Sequence, residues 1–382
     1  MKIIILLGRH RGGGTEAHAN WLFRSLRDAG IDIELYSLFP RHSLSSLAEN
    51  CYEALTLSSA RNHFMRLAKA KKPDLVLCFG RLANCCGHEI KRQLPGVSLI
   101  ATCRTNRRLP ADYRKTLAVA DLVLTNSDWA TQRVIGLNNV SASKVKTVPG
   151  ALLRPHLTTA ERSTVKTEAQ KMTFGLDPSR PVLGMLAHFV KGKNQECLIR
   201  MLAEERLLPG TQLILAGAGP RLNYCRRMIR RLGLGAEVCL PGHVEDPKDV
   251  FHASDLIVST SLRDSLPNAL IEAQAYGMPL VAFNVAGVAE SFLHGEGGRL
   301  VQLGNEQAFV EATNMLLSNN DTLQKYCYSA RKYALNSFLP EKALAEYLGH
   351  FRSLLARHES IIKRTYSDVP VMGRIKVQNL MP

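Results

Sequence analysis

The chain has 382 residues, of which 46% are hydrophobic and 21% charged, with a net charge of +16; this composition is typical of a globular protein of two or three domains. No stretch approaches the roughly 18 to 20 apolar residues that a membrane-spanning helix needs, and the apolar start is too short for a secretory signal, so we predict a cytoplasmic location. The nine cysteines form no CxxC pair and no zinc-type cluster, which favours reduced thiols packed as small hydrophobes.

Short apolar segments alternate with amphipathic ones along the first half of the chain, and this alternation is typical of βαβ units with a parallel sheet. The predicted strands are Lys2–Leu7, Asp32–Tyr36, Leu75–Phe79, Ser98–Thr102, Leu122–Thr125 and Lys146–Val148. Helical spacing occurs over His18–Ala29 and Leu47–Cys51.

A second series of the same kind begins near residue 182. Its predicted strands are Val182–Leu186, Gln212–Ala216, Glu237–Leu240, Leu256–Ser259, Leu280–Phe283 and Arg299–Leu303. The predicted helices between and after them are Gln195–Leu207, Leu222–Leu232, Pro247–His252, Ala269–Tyr276 and Glu306–Leu317. The chain therefore predicts two doubly wound α/β domains, and the ligands of such sheets bind beyond the carboxyl ends of the strands.

The domain boundaries follow from the segments without this alternation. Thr158–Lys171 is polar and has no apolar period, so it is the predicted linker. We predict a first Rossmann-like domain over residues 1–165 and a second over 172–340. Residues 341–382 are predicted to form a helix within Pro340–Arg357 that returns toward the first domain, followed by a basic, irregular tail from Lys363.

Three strand-to-helix junctions carry residues suited to a phosphorylated ligand. Gly12-Gly13-Gly14 ends the first predicted strand, and glycines ahead of a helix let backbone N–H groups approach a phosphate. The loop His188–Lys193 places an ammonium where it could reach a diphosphate, with His188 as a second donor and Lys191 as the alternative to Lys193. A plain tight turn and a solvated loop are the competing interpretations. Gly217, in the turn Ala216–Pro220, is a further donor-site candidate.

The most informative spacing is that of Asp264 and Glu272, eight positions apart. Pro267 suits the first turn of a helix, so Asp264 falls on a loop and Glu272 inside the helix. A carboxylate can accept two hydrogen bonds from a ribose diol, and free N–H groups at the helix start can hold phosphate oxygens. The competing interpretation is a capping acid followed by a solvated glutamate.

The segment that carries these acids, SLRDSLPNALIEAQAYGMPLVA, resembles the Glu-x7-Glu region of retaining glycosyltransferase family 4, whose members have the GT-B fold. Four further segments support the resemblance in the family's order: GGGTE, AHFVKGKNQ, LAGAGP and LPGHVEDPKDVFHASDLIVSTS, with VAGVAESFLHGEGGRLV after them. Together they cover nearly all of residues 180–305, and residues 1–150 more thinly.

The resemblance implies a role for each matching position. Glu272 would bind the donor ribose, Asp264 would lie beside the donor hexose, and Lys193 would hold the diphosphate with His188. The backbone of Ser265, Leu266 and Pro267 would approach the sugar and phosphate, and Gly13 and Gly14 would face the diphosphate from the first domain.

Two positions depart from the family pattern. Asp264 stands where a longer Glu is usual, and His188 stands where Arg is usual; histidine is only partly charged near pH 7. The family also places a His near the donor sugar after the fourth strand, where this chain has Ala101–Asn106, and Arg104 is a candidate substitute.

The resemblance further implies a retaining, metal-independent hexosyltransferase that uses a UDP- or GDP-sugar and no cofactor. Its acceptor would be a glycan or lipid-linked glycan in polysaccharide or lipopolysaccharide synthesis. The alternatives are an inverting GT-B transferase, a sugar-nucleotide epimerase, and a catalytically silent relative that binds nucleotide.

The positive charge is unevenly distributed between the two halves of the chain, and this distribution indicates where an acceptor would bind. Residues 1–170 hold 25 Lys/Arg and 13 Asp/Glu, whereas residues 171–382 hold 24 and 20. The first domain is therefore expected to bind the acceptor through Arg104, Arg107 and Arg108, at an anionic inner membrane surface; a solvated basic surface is the alternative. A nucleic-acid binder is disfavoured because aromatic residues make up just 6% of the chain.

Overall fold

The computed structural model describes residues 1–9, 13–39, 50–51, 56–137, 140–154 and 164–367. For residues 50–51, 164–166 and 357–367 it describes the backbone alone. Within these ranges the chain forms two parallel sheets, each flanked by helices. The predicted fold class, an α/β protein with two doubly wound domains, is confirmed.

The first sheet has seven strands in the order β3-β2-β1-β4-β5-β6-β7, all paired in parallel. They are β1 (Lys2–Arg9), β2 (Asp32–Phe39), β3 (Asn50–Cys51), β4 (Leu75–Phe79), β5 (Ser98–Cys103), β6 (Leu122–Thr125) and β7 (Val145–Thr147). The central strands are continuously apolar because helices cover the sheet on both faces; Ile3–Leu7, for example, are all buried.

The second sheet has six strands in the order β10-β9-β8-β11-β12-β13, again all parallel. They are β8 (Val182–Leu186), β9 (Gln212–Ala216), β10 (Val238–Gly242), β11 (Leu256–Ser259), β12 (Leu280–Asn284) and β13 (Gly298–Gln302). In both sheets the strand order reverses direction beside the first strand of the series, between β1 and β4 and between β8 and β11. Crevices at such switch points are where doubly wound sheets bind ligands.

Thirteen α-helices occur in the described ranges. They are α1 (Gly14–Asp28), α2 (Leu57–Lys71), α3 (Gly80–Gln93), α4 (Ala111–Val119), α5 (Asp128–Ile135), α6 (Thr164–Thr173), α7 (Gln195–Ala203), α8 (Leu222–Arg231), α9 (Pro247–Ala253), α10 (Asn268–Ala275), α11 (Glu306–Ser318), α12 (Asn320–Ser337) and α13 (Pro340–Ser367).

Three structural expectations from the sequence need correction. The predicted linker Thr158–Lys171 is helical from Thr164 onward, and its earlier residues lie outside the described ranges. Helix α6 was missed because the residues on its buried face are polar and so give no apolar period. Thr167 and Lys171 are buried, and the Lys171 ammonium lies 2.9 Å from an Asp255 carboxylate oxygen. The helical spacing at Leu47–Cys51 is wrong for its last two residues, which form β3; the others lie outside the described part.

The third correction concerns the end of the chain. α13 extends to Ser367 and so includes the first five residues of the predicted irregular tail, which was expected to start at Lys363; residues 368–382 lie outside the described ranges. Ala343, Tyr347 and Phe351 of α13 are buried in the core on one face of the first sheet. The last helix therefore packs against the first domain.

The two halves are also joined directly. Glu290, which follows β12, accepts hydrogen bonds from the backbone N–H groups of Asp128 (2.6 Å) and Trp129 (2.8 Å) at the start of α5. A carboxylate at a helix N-terminus satisfies N–H groups that have no partner within the helix. A small apolar cluster continues this junction; its buried members are Leu152, Leu266, Ile271, Ala275, Ala334 and Phe338.

Candidate active site between the two sheets

A cleft with a volume of 380 Å³ lies between the two sheets and is lined from both sides. Its walls come from segments that follow the carboxyl ends of β1, β5, β6, β8 and β11. This position is the one that doubly wound sheets use for ligands, because the strands and the helix starts that follow them converge there.

On the first-domain side, the start of α1 lies at the cleft. Gly13 is the N-cap of this helix, and Gly13, Gly14 and Thr15 line the cavity. A Cβ on Gly14 would lie 3.1 Å from the side-chain nitrogen of Asn268 in the opposite wall, so a larger residue would press on the second domain. The helix start offers backbone N–H groups and the positive end of the helix dipole to an anion.

On the second-domain side, Lys193 and Asp264 lie in contact at the cleft as an ion pair. Lys193 ends a short 3-10 turn, Lys191–Lys193, after β8, and Asp264 lies on the loop after β11. The two loops are tied together because the Leu262 N–H donates to the Gly192 carbonyl at 2.9 Å and the Thr260 hydroxyl donates to the Asn194 carbonyl at 2.9 Å. The ammonium and the carboxylate are thereby held on one wall.

Glu272 also faces the cleft, from α10, and its side chain is 6% exposed. A carboxylate this buried needs a charged or hydrogen-bonding partner. Arg154, from the segment after β7, supplies one: its Nη1 donates to Glu272 Oε1 at 2.7 Å. Arg154 reaches Glu272 from the part of the chain that leaves the first sheet, so this pair joins the two walls of the cleft.

The loop between Asp264 and α10 is fixed by side chains of the first domain. The Ser265 hydroxyl donates to Asn126 Oδ1 at 2.8 Å, and Asn106 Nδ2 donates to the Asp264 carbonyl at 3.4 Å. Gly287 packs against the same loop so closely that a Cβ there would lie 1.5 Å from the Ser265 carbonyl oxygen. Hence Ser265, Leu266 and Pro267, which all line the cleft, are held from both domains.

A buried hydrogen-bonded group lies behind the first-domain wall. Arg104, which lines the cleft, lies with Nη2 3.2 Å from Nδ1 of His18, and His18 Nε2 lies 3.1 Å from the Tyr347 hydroxyl of α13. A guanidinium only donates, so Nδ1 accepts and the Nε2–H faces the tyrosine oxygen. Burial, with a contribution from the Arg104 charge, holds the pKa of His18 well below its usual range.

This burial predicts a pH-dependent stability. An unfolded histidine takes up a proton near pH 6.5, whereas folded His18 stays neutral, so stability falls as pH drops below 6.5, by up to about 1.4 kcal/mol per pH unit. The midpoint of thermal unfolding, followed from pH 7.5 to 5, should therefore fall more steeply in the wild type than in His18→Gln. His243→Gln, at an exposed position, is the control, and equal slopes for all three proteins would contradict the expectation.

Most predicted site residues are brought together at the cleft. Its lining includes Gly13, Gly14, Arg104, His188, Lys193, Asp264, Ser265, Leu266, Pro267 and Glu272. The other three predicted residues lie elsewhere. Arg107 and Arg108 are exposed and outside the lining, and the Arg107 carbonyl accepts a hydrogen bond from Arg133.

Gly217 also lies outside the lining. Its φ is +140°, and a Cβ would lie 2.1 Å from the Ala187 carbonyl oxygen. Glycine here permits two loops behind the cleft to approach closely, so Gly217 shapes the backbone next to His188. Its predicted part in donor binding stays a prediction.

Four residues of the site were missed from the sequence: Arg154, Asn126, Asn268 and His18. Asn126 directly follows the predicted strand Leu122–Thr125. Because ligands bind beyond the carboxyl ends of such strands, a polar residue at this position could have been predicted to lie at the site. Arg154 and His18 gave no such signal, because their partners are 118 and 329 positions away in the chain.

Comparison with known proteins assigns the class of this fold. HepE of Anabaena, in complex with UDP-glucose, superposes with a TM-score of 0.77 at 20% identity, covering 92% of this chain and 100% of that one. Sucrose-phosphate synthase of Thermosynechococcus elongatus gives a TM-score of 0.77 at 18% identity, covering 94% and 100%. The chain therefore has the GT-B fold of glycosyltransferases, as expected from the sequence.

The sequence comparisons point to the same class. Residues 166–333 match the sequence model of the family described as glycosyl transferases group 1. The N-acetyl-alpha-D-glucosaminyl L-malate synthase of Bacillus anthracis is 24% identical over 46% of this chain and 46% of its own length. The lipopolysaccharide core biosynthesis glycosyltransferase LpsE of Rhizobium meliloti is 22% identical over 74% and 76%. This chain thus spans about half the length of the first relative and three quarters of the second.

Proposed function

We propose that this protein is a glycosyltransferase that moves a hexose from a UDP- or GDP-sugar to a glycan or lipid-linked glycan. The transfer retains the configuration at the anomeric carbon, as in family 4, and requires no metal. The observation that supports this most is the convergence of Lys193, Asp264, Glu272 and the starts of α1 and α10 on one cleft between two doubly wound domains.

The charges of the cleft suit a sugar diphosphate. The diphosphate would lie between Lys193 and the N–H groups at the start of α1, where cation and helix dipole both favour an anion. Glu272 would accept hydrogen bonds from the ribose hydroxyls, and Asp264 would orient the hexose. Arg154 and Lys193 each contact one oxygen of these carboxylates, so hydroxyl groups of the nucleotide sugar would compete with them or bind the second oxygen.

The reaction proceeds as the glycosyl bond breaks and negative charge gathers on the departing diphosphate. Lys193, with the helix-start amides and His188 beside it, would stabilise that charge electrostatically. The acceptor hydroxyl would attack the face that the diphosphate leaves and pass its proton to a phosphate oxygen. Contacts such as Ser265 to Asn126 would hold the domains closed around the donor and exclude water.

The names of several similar proteins agree with this class of donor and acceptor. HepE was crystallised with UDP-glucose, and LpsE is described as a lipopolysaccharide core enzyme. We extend this to the present chain as a proposal for synthesis of lipopolysaccharide or another surface polysaccharide. The anomeric configuration of the product, measured by NMR, tests retention; inversion would assign the protein to another GT-B class.

A thermal-shift screen tests donor binding directly. A ligand that binds only the folded protein raises stability by about 2.7 kcal/mol at a hundredfold excess over its dissociation constant. We expect UDP- or GDP-sugars to raise the unfolding midpoint of the wild type more than ADP-sugars or free hexoses at the same concentration. The absence of a shift with all three nucleotide sugars at millimolar concentration would contradict a donor site in this cleft.

A further inference from the structure

Arg104 is the one strongly basic side chain of the described cleft lining that no carboxylate contacts. The lining contains Arg104, Arg154 and Lys193 together with two carboxylates. Arg154 contacts Glu272, and Lys193 contacts Asp264. Within the described ranges, no acid forms an ion pair with Arg104. Because the charges of the two ion pairs cancel, the unmatched positive charge of the lining belongs to Arg104.

The side chains that hold the Arg104 guanidinium are neutral. Its Nη2 lies 3.2 Å from Nδ1 of His18, whose Nε2 lies 3.1 Å from the Tyr347 hydroxyl. Burial lowers the pKa of His18 and raises the pKa of Tyr347, so both are uncharged near pH 7. Burial also lowers the pKa of Arg104, but a guanidinium stays protonated. Such partners orient the cation without neutralising it, and a desolvated cation without a counter-charge is costly.

The contact with His18 places this cation near the start of α1. His18 lies one helical turn after Gly14, a rise of roughly 6 Å. Helical side chains lean toward the N-terminus of their helix, so the His18 ring covers the first turn of α1. The N–H groups of that turn have no partners within the helix. The guanidinium and the helix start can therefore bind the same anion, on the wall where Gly13 and Gly14 line the cleft.

The backbone that carries Arg104 is fixed by the two helices that follow it. From α4, the Tyr113 hydroxyl donates to the Thr102 carbonyl at 2.6 Å. From α5, Arg133 donates to the Thr105 carbonyl. A cation that is already held in place stabilises developing negative charge without a cost of reorganisation.

We propose that Arg104 binds the diphosphate of the nucleotide sugar from the first domain, across the cleft from Lys193. This inference rests on the proposed function and adds a substrate ligand to it, at a position that the sequence assigned to acceptor binding. When the bond between the anomeric carbon and the diphosphate oxygen breaks, its electron pair stays on that oxygen, and both cations stabilise the charge. The acceptor oxygen forms the new bond and its proton passes to a phosphate oxygen. His18 and Tyr347 are positioning residues that act through Arg104.

Isothermal titration of UDP and GDP into the wild type and Arg104→Gln tests the proposal. The variant should bind the preferred diphosphate about 10- to 100-fold more weakly, the range for a hydrogen bond to a charged group. Its turnover number should fall about 10²- to 10³-fold. Arg104→Lys should recover part of both, because it restores the charge but not the paired N–H donors. The matched control is Arg114→Gln, exposed on α4 and outside the lining, which should bind within about twofold of the wild type.

The outcomes separate this inference from the function on which it rests. A wild type that binds neither UDP nor GDP would overturn both. A wild type that binds one of them, with equal affinity in Arg104→Gln, would overturn the inference alone. A loss seen with UDP-glucose or GDP-mannose but not with the free diphosphate would also overturn it, because Arg104 would then contact the sugar. Thermal unfolding of each variant verifies that it folds.

A double-mutant cycle tests the positioning role of Tyr347. Tyr347→Phe removes the hydroxyl and keeps the ring that packs in the core of the first domain. It should weaken diphosphate binding a few-fold in the wild type and have no further effect in Arg104→Gln, because residues that act through one another are not additive. Additive losses would contradict this role and assign Tyr347 to the packing of α13 alone.

Discussion

Replacing Lys193 by Ala should lower the turnover number about 10²- to 10³-fold, the loss typical for removal of one group that stabilises developing negative charge. Lys193 is the described cleft residue whose ammonium already contacts a carboxylate of the proposed sugar site. The Michaelis constant for the donor should change less than the turnover number, because the charge on the leaving phosphate grows as the bond breaks. Initial rates of nucleoside diphosphate release measure both quantities.

Lys191→Ala is the matched control for this prediction. Lys191 lies two positions away, is exposed, and is outside the cleft lining, so its removal should leave the turnover number within about twofold, as for surface changes in general. Lys193→Arg should restore part of the activity because it restores the charge. Full activity of Lys193→Ala, together with loss in Lys191→Ala, would reassign the phosphate site to the other lysine.

Two ion pairs organise the polar side chains of the cleft. In the Lys193–Asp264 and Arg154–Glu272 pairs, a carboxylate that is proposed to bind the nucleotide sugar contacts a basic side chain. A buried charge is costly unless it is paired, so these contacts compensate the charges of the two carboxylates and orient them. Under the proposed function, a nucleotide sugar would compete with Lys193 and Arg154 for the two carboxylates.

The sequence predicted the sheets well because their strands depend on local properties. β4, β6, β8, β9 and β11 were predicted residue for residue, since each is a short apolar run between polar turns and is covered on both faces. The helices α2 to α5 and α12 were missed. The buried positions of α3, α4 and α12 include Thr116, Asn84 and several alanines, which weakens the apolar period on which such predictions depend. In α2 the buried Phe64 and Met65 do keep helical spacing with Ala60 and Ala68, so this helix was predictable from the sequence.

The site residues were likewise predictable where their positions depend on the local sequence. Lys193, Asp264 and Glu272 lie on local motifs after strands, and their meeting at one cleft was predictable from the sheet topology. Arg154 and His18 were not, because their importance depends on partners from the other domain and from α13. Long-range polar contacts of this kind leave no periodic trace in a single sequence.

Replacing Glu272 by Ala should weaken donor binding about 10- to 100-fold, since a hydrogen bond to a charged group contributes roughly 1.5 to 3 kcal/mol. Its more specific consequence concerns the sugar of the nucleotide. The wild type should reject a 2′- or 3′-deoxy donor, because the buried carboxylate would lose a hydroxyl partner. Glu272→Ala should bind the ribose and deoxyribose donors equally. Isothermal titration with both donors measures the ratio.

Arg154→Ala separates the carboxylate from its present partner. It removes the guanidinium 2.7 Å from Glu272 Oε1 but keeps the carboxylate, so discrimination between ribose and deoxyribose donors should persist. Donor affinity should be at least that of the wild type, because the donor no longer competes with an internal cation. If Glu272→Ala kept the wild-type discrimination while Arg154→Ala lost it, the ribose contact would belong to Arg154, and the assignment of Glu272 as the ribose ligand would be wrong.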